Sequence, residues 1–453
     1  MRFCFRLALT LYLLFALSTG PVMAQGLSVI RDAELEAFMH DISAPIFEAG
    51  GQRAEDVDIV IINNQALNAF YAGGQRIFLH TGLILETDNV NQVIGVMAHE
   101  NGHMTAGHVQ RFDEALEPAG NISILSLILG AAAIAAGAPE AGMGILGGGQ
   151  TIAQRNVLSF RRVQEASADQ AAAEFLKKAE LSGQGLIEVF EKFRYQELLS
   201  VRHLDPFVIT HPLSSQRIAN LSSKMRSSPF WDKPPDPEHQ ARYERVKAKI
   251  EGYVLPAKST LGKYPPSDTS VKARYARVYA YNKALEWDKA MDEADSLIAE
   301  HPNDPYFREV KGQMLLENGK VEKSLPHLRK AVELAPHEPL IMTLYGQALV
   351  AKETAEHFQA AITVLDRATQ LDPRNAFGWY QLAIAYTRTG QTALASLASA
   401  EYALLTRQPQ KAAREASMAA KELTEGTPKW YRAQDIKQII GSAMIDGAER
   451  RRR

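Results

Sequence analysis

His99-Glu100-Asn101-Gly102-His103 is the stretch on which the reading of this chain turns. Residues four apart on a helix share a face, so the imidazoles at 99 and 103 can converge on one ion while Glu100 stands beside it. Zinc held by neutral imidazoles keeps a position open for water and lowers its pKa to about 7. The intervening glutamate can then take the proton as that water attacks a peptide carbonyl. Five residues also match by chance, so the flanking sequence has to carry the assignment.

Upstream, Asp88 is placed to cap a helix that turns Val93, Val96 and Met97 inward and carries the motif. Gly102 inside that helix costs about 1 kcal/mol relative to alanine, which points to a close approach of backbone or ligand. Before it, Val57 to Ile62, Leu67 to Tyr71 and Ile77 to His80 read as strands, the last two around a turn at Gly73-Gly74. Ile30 to Glu48 reads as an amphipathic helix closed by Gly50-Gly51, with Pro45 near its end.

Downstream, two histidines do not complete a zinc site. The spacing H-E-x-x-H-x-x-G-x-x-H would need glycine at 106 and histidine at 109, where the chain has Ala106 and Val109. Gly107 falls one place late and His108 one place early, so that template fails. Glu165-Ala166-Ser167-Ala168-Asp169, which begins 62 residues after His103, supplies two carboxylates on one helical face. Glu165 can bind the ion while Asp169 accepts a hydrogen bond from the far nitrogen of a ligand histidine. His80, His108 and His203 are expected to make ordinary polar contacts, because coordination needs convergence.

Between the two motifs, Glu140 is the only charged residue from Pro118 to Gln154. Pro139-Glu140 breaks this apolar section, so residues 119–154 read as a helical hairpin, either buried or in peripheral contact with a lipid surface. Helical patterning resumes from Val157 to about Leu199.

The chain has 453 residues, 46% hydrophobic and 23% charged, with a formal net charge of -2. That is an ordinary globular composition, and it offers nucleic acid no electrostatic footprint. Arg2 and Arg6, an apolar run from Leu7 to Leu17 and the small residues before Gln25 read as a signal peptide over 1–24. Cys4, the only cysteine, lies within it, so the mature chain would have no disulfide and no thiolate ligand.

Residues 25–228 are expected to form the metal domain and 229–267, rich in proline, a linker with one helix near Glu238 to Glu251. Beyond Ser267 segments end at Pro302, Pro336, Pro373 and Pro409, spaced by 34, 37 and 36 residues. Each carries two apolar-periodic helices, which resembles tetratricopeptide repeats over 268–440, followed by a basic tail at 441–453. Stacked helix pairs leave a concave face that usually binds peptide or protein. The expected fold is thus mainly α: an α+β zincin-type metallopeptidase domain with a small β-sheet, then an α-solenoid.

The His99/Glu100/His103 motif, the Glu165-x-x-x-Asp169 motif and the apolar section between them resemble gluzincin peptidases related to CAAX prenyl proteases and to the bacterial protease HtpX. The resemblance implies one Zn²⁺ per chain on His99, His103 and Glu165, with Glu100 as general base and Asp169 assisting catalysis. It also implies that Asn68-Ala69-Phe70 belongs to an edge strand that pairs with extended substrate, an ordinary sheet strand being the alternative. His211-Pro212-Leu213-Ser214-Ser215-Gln216-Arg217 is similar to the family's H-P-x-x-x-x-R segment. His211 would then be a fourth ligand and removable lid, or else a helix cap; Arg217 would hold an oxyanion, or else pair with a carboxylate. With the signal peptide and the repeats, the likeness is to a periplasmic branch of the family. This implies misassembled outer-membrane β-barrel proteins as clients, their assembly machinery as partner and a chaperone-like side to the activity. A non-catalytic assembly factor and an inner-membrane protease are the competing readings.

Overall fold

Asp32 opens the first long helix by accepting a hydrogen bond from the Leu35 amide, and the chain just before it is extended. The computed structural model describes residues 28–111, 126, 129, 139–199, 211 and 213–450. β1 (Val29–Ile30) leads into α1 (Ala33–Ala49), so the helix starts later than its apolar pattern suggests, because Val29 and Ile30 pair with Ile62 and Ile61. β2 (Asp58–Ile62), β3 (Ala69–Tyr71) and β4 (Arg76–His80) complete a sheet of order β1-β2-β4-β3. β2 and β4 are parallel; the other pairs are antiparallel. Gly73 and Gly74 turn β3 into β4 with φ of +99° and +68°, a region L-residues rarely enter.

β3 lies at the sheet edge. The Asn68 carbonyl accepts from the His80 amide, so by antiparallel alternation the backbone groups of Ala69 and Tyr71 point away from β4.

After α2 (Thr81–Glu86) comes the motif helix, α3 (Val90–Thr105), buried from Val90 to Met104. Its cap is Asn89 rather than Asp88: the Asn89 side chain accepts from the Gln92 amide, while the Gln92 side chain accepts from the Asp88 amide. α4 (Pro139–Lys178) is one helix of 40 residues. It runs unbroken through Val157, and Pro139 stands at its start, where its missing N–H costs nothing. The first arm of the expected hairpin, residues 119–138, lies almost wholly outside the described residues. Among those described, no helix is long and apolar enough to cross a membrane. The chain turns at Glu180, with φ +57°, into α5 (Gln184–Leu199); α6 (Ser215–Arg226) is capped by Ser214.

α3 and α4 touch at Gly102, where a Cβ would stand 2.6 Å from the Ala168 carbonyl oxygen. The close approach expected there is therefore backbone to backbone.

The segment expected as a linker folds as α7 (Pro237–Val254) and α8 (Ala257–Lys263). It is more than a tether, since Tyr243, Val246 and Ile250 of α7 join the core of the metal domain. Five helix pairs follow: α9 (Val271–Lys283) with α10 (Trp287–Glu300), α11 (Pro305–Glu317) with α12 (Val321–Leu334), α13 (Pro339–Ala351) with α14 (Ala355–Leu371), α15 (Ala376–Arg388) with α16 (Thr392–Leu405), and α17 (Pro409–Glu422) with α18 (Pro428–Arg450). α18 runs through most of the segment expected as a tail, since Ile436 and Ile440 anchor it in the last core cluster. Residues 1–27 and 451–453, which include the expected signal peptide, lie outside the described residues.

Buried charges join the two parts. Lys249 of α7 meets Asp32 at 2.7 Å and Glu34 at 3.1 Å, Arg245 meets Glu34 at 2.6 Å and Asp304 at 2.5 Å, and the Tyr275 hydroxyl donates to Glu34 at 2.8 Å. Removing one partner would leave a buried charge uncompensated, so this junction demands one geometry. Arg31 with Asp372 and Arg374 with Asp58 add ion pairs at the rim.

Candidate metal centre

α3 presents His99 and His103 one turn apart, with Nε2 atoms 3.1 Å from each other. α4, brought in at Gly102, adds Glu165, whose carboxylate oxygens lie 3.4 Å from each of those nitrogens. His211 completes the group with Nδ1 3.3 Å from His99 Nε2 and 3.2 Å from Glu165 Oε1. The four ligand atoms all fall within 4.8 Å of one another, and all four residues are buried. Ligands about 2.0–2.1 Å from a tetrahedral ion stand about 3.3 Å apart, so this donor set fits a divalent cation of zinc's size and preference. Glu100 is wholly buried; its Oε1 lies 3.4 Å from His211 Nε2 and accepts no hydrogen bond among the described residues, which leaves it a lone pair for a proton.

Around these atoms lies a second layer. Asp169 Oδ1 is 3.0 Å from His99 Nδ1, the contact expected of an orienting carboxylate. Arg217, from α6, reaches Asp169 at 2.5 Å and Glu165 Oε2 at 2.7 Å and stacks over the Phe190 ring at 4.9 Å. The guanidinium thus makes the carboxylate pairing that was one of its two readings, with both acidic side chains. Ser214, not His211, accepts the first amide hydrogen bond of α6, so His211 is no helix cap.

Electrostatics follow from this packing. Burial alone would raise Asp169, but the hydrogen bonds from Arg217 and His99 hold it below the usual aspartate range. Burial likewise opposes ionised Glu165, yet His211, His103 and His99 keep it well below the usual glutamate value. Burial pushes His103 down to about 3, with the neighbouring His99 and His211 adding to the shift, so it presents a neutral nitrogen. Burial also lowers His99, but Asp169 and Glu165 overcome it and raise it to about 9 in the metal-free protein; a cation would have to displace that proton. Glu100 is raised by burial, against the opposing pull of His211 and His99.

Of Asn68, Ala69 and Phe70, which the resemblance assigned to an edge strand, Ala69 and Phe70 lie in β3 and Asn68 just precedes it. Two of the strand's outward groups are occupied: the Tyr71 amide donates to Glu100 Oε2 at 2.9 Å, and the Ala69 carbonyl lies 3.3 Å from His211 Nε2. Phe70 stacks on Phe78 at 5.1 Å, a cross-strand pair that fixes the register.

Residues 30–225 match the model of Peptidase family M48. The chain is a metalloprotease, and those residues are similar to that family. Over most of its length it is similar to two proteins named β-barrel assembly-enhancing protease. It is 25% identical to the Yersinia pestis protein over 352 residues, 73% of this chain and 68% of that one. To the Escherichia coli (strain K12) protein it is 24% identical over 372 residues, 78% and 72% of the two chains. Among solved structures, YrrB, a TPR protein, covers 41% of this chain at 18% identity and a TM-score of 0.32. The repeat assignment rests on the helix pairs themselves.

Two participants were not singled out from the sequence. Tyr71 enters through its backbone, which no residue pattern reports. His108, expected to make an ordinary polar contact, has its Nδ1 2.8 Å from His103 Nδ1. His80 does make such a contact, with the Ala66 carbonyl, and His203 lies outside the described residues.

Proposed function

We propose that the protein is a periplasmic zinc endopeptidase held latent by His211, acting in quality control and assembly of outer-membrane β-barrel proteins. One observation carries the latency: the His211 ring puts Nδ1 in the ligand group and Nε2 against the Ala69 carbonyl. The same side chain thus stands in the metal's fourth position and on the acceptor that an extended substrate would use. The client class follows the names of the relatives, and the periplasm follows the expected signal peptide. The repeats, docked through Glu34 and Lys249, would recruit or gate clients, giving the protein its chaperone-like side.

His99, His103 and Glu165 would hold the ion, with Asp169 and Arg217 fixing His99 and Glu165. When bound, a divalent cation supplies Lewis acidity that polarises the scissile carbonyl and acidifies water. Glu100 removes the proton of the attacking water and later delivers it to the leaving amine. β3 aligns the substrate by strand addition at its open edge, where the Ala69 carbonyl is the acceptor, a mode that tolerates varied side chains. Before that can happen His211 must swing away.

Two experiments test this reading. Cleavage of unfolded casein should stop after dialysis against a chelator and return with one equivalent of Zn²⁺. Recovery with no added metal would remove the metal from the mechanism. His211→Ala should retain Zn²⁺ on three ligands and cleave casein at least about tenfold faster, the effect of about 1.4 kcal/mol less closing energy. Unchanged proteolysis with unchanged coordination would dispose of the latch.

The non-catalytic assembly factor stays in view because the centre is closed at rest. It is separated from the main reading by the behaviour of Glu100.

A further inference from the structure

We propose that His108 is a positioning residue that holds the His103 imidazole in its metal-binding tautomer and orientation, as Asp169 does for His99. This rests on the reading that His103 binds the ion through Nε2.

That reading leaves the proton of neutral His103 on Nδ1, which must therefore donate. The atom within reach is His108 Nδ1 at 2.8 Å, with the two rings 4.9 Å apart and inclined by 75°. His108 Nδ1 then accepts, and its own proton sits on Nε2. Each helix histidine thus has a group facing its far nitrogen, a carboxylate oxygen 3.0 Å from His99 Nδ1 and an imidazole for His103.

The local chain is built to deliver this contact. α3 ends at Ala106, whose amide bonds the Gly102 carbonyl, and Gly107 follows with φ +63°. Glycine at this left-handed position reverses the chain without a Cβ penalty and sends residue 108 back over the helix it has just left. The Gln164 side chain then donates to the His108 carbonyl at 2.9 Å, tying His108 to the helix that carries Glu165. Gly107 and His108 are the residues whose spacing failed the ligand template, and the turn explains both: His108 lies at i+5 from His103, beyond the reach of a shared helical face.

A neutral acceptor also suits the charge around the centre. Glu100, Glu165 and Asp169 already place three carboxyl groups there against Arg217. An imidazole orients His103 without adding a fourth buried anion, and it also forms part of the wall of a cleft of about 350 Å³ beside Phe70 and Glu100.

The test uses the full-length purified protein and Zn²⁺ affinity measured by competition with a chromophoric chelator. His108→Leu removes the acceptor and should weaken binding about 10–100-fold, the usual cost of losing such a partner. His108→Asn offers a side-chain oxygen in its place and should bring affinity back to within a few-fold of wild type. Metal-free melting temperatures should not separate the two variants. His108→Ala serves as a second deletion that cannot overpack the site. Wild-type affinity in His108→Leu or His108→Ala overturns the proposal, as does a loss in His108→Asn equal to that in His108→Leu. Failure of the wild-type protein to bind Zn²⁺ would instead overturn the metal reading on which the proposal stands.

Discussion

Glu100→Gln is expected to keep the metal and lose proteolysis by about 10²–10⁴-fold, the contribution typical of a positioned general base. The amide has nearly the shape of the carboxylate and can still accept the Tyr71 hydrogen bond through its oxygen, so β3 and α3 should stay in place. It cannot take a proton from water. Casein cleavage is best compared in a His211→Ala background, where latency does not hide the difference, alongside metal analysis of both proteins. Burial raises Glu100, and the base must be ionised to act. Activity should therefore rise with pH through a value above that of an ordinary glutamate and fall below it. Cleavage undiminished by Glu100→Gln would move the base elsewhere. Full complementation in cells by that variant would favour the non-catalytic assembly factor.

Gly102→Ala should damage the centre from behind. Its added methyl would stand 2.6 Å from the Ala168 carbonyl oxygen and 2.9 Å from Ala168 Cα, both backbone atoms of α4 that cannot swing aside. α4 must shift, and with it Glu165 and Asp169, which flank Ala168 in sequence. Overpacking of this kind costs about 1–3 kcal/mol, so the metal-free protein should melt lower. Zn²⁺ affinity should fall as well, because three of the four ligands, His99, His103 and Glu165, are set by the α3–α4 contact. A Gly102→Ala protein with wild-type melting temperature and wild-type Zn²⁺ affinity would show that the helices have slack the structure does not display.

Much of the site was legible along the chain because its pieces are local. His99, Glu100 and His103 share a helical turn, and Glu165 and Asp169 share another; periodicity alone puts each set on one face. β2, β3 and β4 appear close to the places where β-branched alternation and Gly73-Gly74 put them. The repeats announce themselves by spacing. Where the sequence reading departed from the structure, a contact had overridden a local signal. Ile30 left the first helix to pair with β2, and α7 packed into the metal-domain core instead of spanning a gap.

Sequence by itself determined which chemistry the chain can perform, since two imidazoles, a carboxylate ligand and a base are residue types at fixed helical spacing. Tertiary structure alone decided how that chemistry is held. It turned Arg217 onto Asp169 and Glu165, placed His211 between the ligand group and the edge strand, and brought His108 back onto His103. Those contacts join residues that no helical period relates, and their distances are set by how closely helices pack at a glycine and where the chain reverses. A motif fixes side chains relative to their own backbone; packing fixes one backbone relative to another.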